Sequence, residues 1–167
     1  MKVTPQTSVS RVTESRVIST PIGKLTLVAS QSGLCEIIFG AKKLRSARTV
    51  STKANGYLVQ TERQLHEYFT GKRKKFSIKL DIDGTAFQTA AWHSLVTIPY
   101  GQTISYAQQA KLVRKPRAFR AVGSANGKNP VAIVLPCHRV IASDGTLGGY
   151  GGGLAIKRKL LALEKNF

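Results

Sequence analysis

Apolar positions along the first forty residues come in short runs of strand length. Arg16–Thr20, Lys24–Ala29 and Leu34–Phe39 are rich in valine, isoleucine, leucine and phenylalanine, and Pro21–Gly23 and Ser32–Gly33 separate them. Such runs bounded by turn residues predict an antiparallel meander. Residues 41–55 are polar and basic without periodicity and read as a loop. Leu58, Leu65, Tyr68 and Phe69 then recur at near-helical spacing, and Gly71 closes a helix of about fourteen residues. A basic turn, Lys72–Lys75, leads into a last strand at Phe76–Leu80, and Asp81–Gly84 marks a domain boundary.

Beyond that boundary helical spacing takes over. Phe87, Ala90, Ala91, Leu95 and Val96 form a stripe that stops at Ile98-Pro99-Tyr100-Gly101. A second short helix starts after Thr103, with Ser105 as the alternative cap, and runs through Tyr106 to about Ala110. A third begins near Lys115-Pro116, with proline in the first turn, and carries Ala118, Ala121 and Val122 inward. Two short helices joined by a brief turn make a helix-turn-helix layout. A final helix, about Ala155–Lys165, docks through Leu154, Leu160, Leu161 and Leu163. The expected fold is α/β in two domains: a small antiparallel sheet with a helix over residues 1–84, and a helical domain over residues 85–167.

Composition narrows the class. The 167 residues are 42% hydrophobic and 20% charged, enough for a packed core and against wholesale disorder. No stretch of about eighteen apolar residues could cross a membrane as a helix. The N-terminal segment lacks the apolar centre of a signal peptide, so a cytoplasmic location is expected. Two cysteines, Cys35 and Cys137, make neither a disulfide framework nor a four-thiolate zinc site. Charge changes the picture more: 26 basic against 8 acidic residues give +18, shared as +9 by each domain. No acid lies between Asp83 and Asp144, an interval that holds Lys111, Arg114, Lys115, Arg117, Arg120, Lys128 and Arg139. Such a stretch predicts a face for a polyanion.

The candidate chemistry follows Asn129-Pro130. An apolar run, Val131–Leu135, should be buried, and Pro136 should turn the chain so that Cys137 emerges beside His138 and Arg139. Two cationic neighbours would favour the thiolate, the nucleophilic form. His138 would reach the sulfur only through a turn or a bridging water, because adjacent side chains diverge. It also needs a carboxylate, and the second domain offers only Asp144 and Glu164. Cys35 lies in a plain apolar strand and reads as structural. Two other classes compete: a plain DNA-binding module with an inert Cys137, and a cysteine hydrolase using Cys137 and His138. The second lacks any oxyanion motif.

The stretch from Asn129 through Pro136-Cys137-His138-Arg139-Val140-Ile141, followed by Gly148-Gly149-Tyr150-Gly151-Gly152-Gly153-Leu154, resembles the active-site segment of the O6-alkylguanine-DNA alkyltransferases (methylated-DNA–protein-cysteine methyltransferases). Ile104-Ser105-Tyr106, Arg120-Ala121-Val122-Gly123 and the span from Lys157 to Glu164 extend the likeness, and Thr20-Pro21-Ile22-Gly23 fits the smaller domain. The resemblance implies an RNase H-like first domain and a winged-helix-like second one. It makes Cys137 the alkyl acceptor, His138 its base through a water, and Glu164 the group that orients His138. Asn129 would tie the recognition helix to the active-site segment. Arg120 would be the finger that replaces the flipped nucleotide, and Tyr106 would meet the rotated phosphate and guanine N3. Ala121, Gly123, Lys128 and Arg117 would face DNA. The backbone at Cys137, Val140 and Gly151, with Tyr150 and Lys157, would form the base pocket. The implied partner is double-stranded DNA carrying O6-alkylguanine, approached through the minor groove by a monomer, with O4-alkylthymine and cooperative binding left open. No cofactor and no metal are implied. Gly151 and Phe119 depart from the family pattern, the second at a position where small residues are common.

Overall fold

The computed structural model describes residues 13–42 and 52–166. The N-terminal dozen, most of the segment expected to carry no signal peptide, and residues 43–51 of the expected loop lie outside the described residues. The chain divides into two compact units between Asp83 and Gly84.

In the first unit β1 (Thr13–Thr20), β2 (Gly23–Ser30) and β3 (Leu34–Phe39) form an antiparallel sheet in the order β1-β2-β3. β1 and β2 pair from Thr20 opposite Gly23 to Thr13 opposite Ser30, and a register shift between Val28 and Ala29 interrupts β2 against β3. Helix α1 (Thr52–Phe69) is longer than its spacing predicted and takes in residues 52–55 of the expected loop. Its buried stripe begins at Ala54, a side chain too small to register in the apolar pattern, and continues through Leu58, Leu65 and Tyr68. Gly71, at φ 74°, ends it, with the Lys72 N–H bonded back to the Glu67 carbonyl.

The strand expected at Phe76–Leu80 does not form. Only Leu80 makes a bridge, to Leu34. Gln64 of α1 takes the place of a strand neighbour: its Oε1 accepts from the Ser77 N–H at 2.8 Å and its amide nitrogen donates to the Ser77 carbonyl at 3.4 Å. A backbone satisfied by a side chain has no need of a ladder.

The second unit holds α2 (Ala86–Leu95), β4 (Ile104–Ser105), α3 (Tyr106–Leu112), α4 (Phe119–Gly127), β5 (Val140–Ile141) and α5 (Leu154–Asn166). Thr85 and Ser105 cap α2 and α3 through reciprocal bonds with Gln88 and Gln108. Ser105, not Thr103, is therefore the cap, since only it stands three residues before a glutamine that can return the bond. The third helix starts later than expected: Pro116 lies in the turn and α4 begins at Phe119. That shift of phase leaves Ala121 exposed rather than inward, while Val122 and Ala125 are buried. In α5, Leu160 alone of the four leucines is buried, and the stripe is completed by Lys157 and Glu164. Two charged residues on the buried face of a helix require partners.

Parallel pairing of β4 with β5, Ile104 opposite Val140 and Ser105 opposite Ile141, is the tie that matters for the site. It sets the start of α3, and with it Tyr106, against the segment that follows Cys137.

Candidate active site

The apolar run before Cys137 is buried as expected but is not extended. It doubles back, with Ala132 bridged to Leu135 and the Leu135 N–H bonded to the Val131 carbonyl at 3.0 Å. Ile133 sits at φ 78°, a left-handed conformation that costs a β-branched residue on the order of 1–3 kcal/mol. Asn129 holds the reversal closed. Its Oδ1 accepts from the Val131 N–H at 3.1 Å, and its Nδ2 donates to the Leu135 carbonyl at 2.8 Å and to Cys137 Sγ at 3.2 Å. Cys137–Arg139 then make one tight 3-10 turn.

Arg139 and His138 point into the unit rather than toward solvent, and both converge on Glu164. His138 Nε2 lies 2.7 Å from Glu164 Oε1. Arg139 donates from Nε to Oε2 and from Nη2 to Oε1, each at 2.9 Å, and from Nη1 to the Ile98 carbonyl at 2.7 Å. The Gly101 N–H gives Oε2 a further bond at 3.0 Å. Gly101 is needed there twice over, because its φ is 75° and a Cβ would lie 2.9 Å from the Glu164 carbonyl oxygen. Burial would raise the Glu164 carboxyl, but the bonds from His138 and Arg139 and their charges bring it down to about 2. His138, fully buried, is pushed below its ordinary value by burial, against the pull of Glu164. Its Nδ1 finds no partner among the described residues. The arrangement is a neutral imidazole, anchored at Nε2 by a carboxylate that four donors keep ionised, with one nitrogen in reserve.

Cys137 is 7% exposed and lies on a half-open cleft of about 570 Å³, within the range of small-molecule sites (~300–1,000 Å³). Tyr106, Gly123 and Asn126 form part of the lining, Gly148–Gly151 another, and Phe119 and Arg120 a third. Gly148 packs on Tyr106: at φ 65°, a Cβ would stand 2.7 Å from the tyrosine hydroxyl. Burial raises both Tyr106 and Tyr150, reinforced by the sulfur's charge, so both stay phenols. Tyr150 sets its ring edge-on to His138, centroids 6.5 Å apart.

The electrostatics of the sulfur differ from the sequence expectation. Burial pushes the Cys137 thiol up, and the Asn129 bond and the Lys157 charge oppose this only in part. The two cationic neighbours in sequence do not supply the field expected of them, because Arg139 is spent on Glu164 and His138 is kept neutral. Lys157 is the cation that counts. It is fully buried and donates to the Val140 carbonyl at 2.6 Å and to the Leu147 carbonyl.

Of the residues singled out from sequence, Cys137, Tyr106, Arg120, Gly123, Tyr150 and Gly151 share the cleft. Asn129 touches the sulfur, while His138 and Glu164 are buried and do not line the cleft. Val140 and Lys157, expected in the pocket, sit beneath its wall as a bonded pair. Arg117, Ala121 and Lys128 are exposed and do not line the cleft. Sequence reasoning assigned no role to Arg139 in the Glu164 cluster, to Gly101 or to Asn126. Asn126 exchanges two amide bonds with buried Gln109 (2.7 and 3.3 Å), and neither belongs to the segment around Cys137 that drew attention in the sequence. A buried arginine next to the second domain's scarce acids was the available signal for the first.

Comparison with known proteins covers both units. The family model for the ribonuclease-like domain of 6-O-methylguanine DNA methyltransferase matches residues 15–82, and that for its DNA-binding domain matches residues 86–166. A methylated-DNA–protein-cysteine methyltransferase of Methanosarcina barkeri is 46% identical over 153 residues, 90% of this chain and 96% of its own. Mycobacterium tuberculosis OGT, solved in complex with DNA, is similar at a TM-score of 0.78 and 44% identity, over 91% of this chain and 92% of that one. The O6-methylguanine DNA methyltransferase of Methanococcus jannaschii gives 0.68 at 25% identity, over 90% and 93%.

Proposed function

Because the chain belongs to the O6-methylguanine DNA methyltransferase family, we propose that Cys137 is the atom on which its repair chemistry ends. The protein is a methylated-DNA–protein-cysteine methyltransferase that repairs O6-methylguanine in DNA. Residues 1–83 form the smaller domain, and residues 84–167 bind the duplex and hold the site.

The reaction exchanges an alkyl group for a proton. The Cys137 thiol gives its proton to His138 at Nδ1, through a bridging water, and the sulfur attacks the saturated carbon on guanine O6. The carbon–O6 bond breaks, and the leaving guanine takes up the proton that left the thiol. His138 can accept because it is neutral. Glu164, already holding four hydrogen bonds, takes no proton and instead steadies the imidazolium. Asn129 orients the sulfur, and buried Lys157 faces its developing charge. Tyr106, kept protonated, donates to the base at N3. The base must leave the stack to reach Cys137, and Arg120 fills its place from the minor groove, where Ala121 and Gly123 allow close approach. Lys128 and Arg117 hold phosphates. Gly151 meets the guanine edge through its backbone, with Tyr150 beside it. The product thioether has no easy leaving group, so each molecule works once, as a monomer, in the compartment that holds DNA.

The observation that carries this reading is a cysteine on a base-sized cleft, backed by a neutral histidine locked onto a buried carboxylate. Titration of an O6-methylguanine duplex with the protein tests it. Lesion loss should stop at one equivalent per protein molecule. Continued loss under a limiting amount of protein would contradict the single-use thioether.

A further inference from the structure

Six large apolar side chains stay exposed among the described residues, and Phe119 alone of them is aromatic and alone lines the cleft that carries Cys137. It opens α4, is 45% exposed, and stands next to Arg120, whose guanidinium lies 5.9 Å from the centre of its ring. Both side chains line the mouth of the same cleft. They belong to the acid-free interval between Asp83 and Asp144, the stretch best suited to approach a phosphate backbone. A single exposed apolar residue needs no explanation by itself. An aromatic ring that lines the cleft, with the guanidinium of the one arginine that also lines it 5.9 Å from its centre, occupies a different position.

We propose that Phe119 and Arg120 act as one two-residue wedge, in which Phe119 selects for an opened base step. Before DNA arrives, the ring holds the guanidinium at the cleft mouth, so Arg120 gives up less freedom on insertion. Once the step is opened, the ring buries its exposed face against the sugar and the unstacked neighbour of the vacated position. An apolar side chain gains by such a contact only where the stack is broken, because an intact duplex offers it phosphates and groove water. Phe119 therefore adds preference for the extruded state and little to general affinity. This rests on the transferase reading given above.

Full-length Phe119→Ala and Phe119→Trp are tested on two duplexes, each with 2-aminopurine beside the target guanine, one bearing O6-methylguanine and one undamaged. Because the side chain is nearly half exposed and opens α4 at the surface, neither change threatens the fold. Phe119→Ala should slow transfer at sub-saturating duplex roughly tenfold and weaken the 2-aminopurine signal. Its affinity for undamaged duplex should stay within about twofold, with an unchanged salt dependence, since no charge is removed. Phe119→Trp should recover most of the rate. The wedge is overturned if Phe119→Ala matches the wild type, if undamaged affinity falls by the same factor as transfer, or if Phe119→Trp is as slow as Phe119→Ala. A wild-type chain that transferred no methyl would reject the transferase reading instead, and the 2-aminopurine signal would still decide the wedge.

Discussion

The two cysteines of this chain differ in exposure and in what surrounds the sulfur, and the proposed acceptor is the less exposed of the two. Cys35 is the more accessible of the pair, on a strand of the small sheet, with the Gly33 carbonyl 3.6 Å and an Asp81 carboxylate oxygen 4.0 Å from its sulfur. Cys137 is buried, yet it faces the cleft, receives a hydrogen bond from Asn129 and lies near the buried ammonium of Lys157. Electron-rich neighbours surround the first sulfur, donors and a cation the second. On the function proposed above, capacity to take an alkyl group follows from what faces the sulfur when a base arrives, and accessibility to bulk water is a poor guide to it.

The largest effect should come from removing each thiol in turn. Cys137→Ala should abolish transfer altogether while leaving lesion binding, and Cys35→Ala should transfer at the wild-type rate, both read as methyl uptake from labelled duplex. Next comes the cluster behind Cys137. Arg139→Met leaves a buried carboxylate to His138 and the Gly101 N–H, so unfolding in urea should show a loss of about 3–5 kcal/mol. Substitutions around Cys35 have no comparable charge to orphan.

Acid should attack the same cluster. Glu164 is held near 2 against an ordinary 4.5, so its contribution to stability is present above about 4.5 and disappears as pH falls toward 2. His138, held below 6.5, binds its proton more readily when unfolded, so acidification below 6.5 also favours unfolding. Urea midpoints should therefore decline on going from pH 7 to 5 and again below 4.5. Arg139→Met should blunt the lower step. The sharpest comparison of the two sulfurs is Asn129→Ala. Loss of the amide bond leaves the Cys137 thiol still further above 9.0, and its alkylation by iodoacetamide at neutral pH should slow roughly tenfold. Cys35 in the same sample should react unchanged.

Much of this was legible in the residues, for reasons that can be named. The three strands follow from apolar runs and turn residues whose local preferences agree with the tertiary outcome, whereas α2 forms where expected but buries Ala91, Trp92, Ser94 and Leu95 and leaves Ala90 and Val96 of the expected stripe exposed. The site was legible because Cys137, His138 and Arg139 are contiguous. Apart from the His138–Glu164 pair, to which the scarcity of acids and the resemblance pointed, partnerships across distance were not. Gln64 displaced a strand that had the right composition, and nothing near Phe76 announces it. Arg139 looked like a source of positive field, but its pairing with Glu164, twenty-five residues on, converts it into a brace. Lys157 was expected in the pocket through the resemblance alone, and helix phase instead buries it off the cleft against the Val140 carbonyl. Charge in a sequence is a count, whereas its effect on a sulfur depends on which opposite charge has already claimed it.

The most direct test is peptide-resolved mass spectrometry after the wild-type protein has met excess O6-methylguanine duplex. A single added methyl on the peptide containing Cys137, with the Cys35 peptide unchanged, is the expected result. Methyl on the Cys35 peptide, or an unmodified Cys137 peptide beside a depleted lesion, would contradict the account.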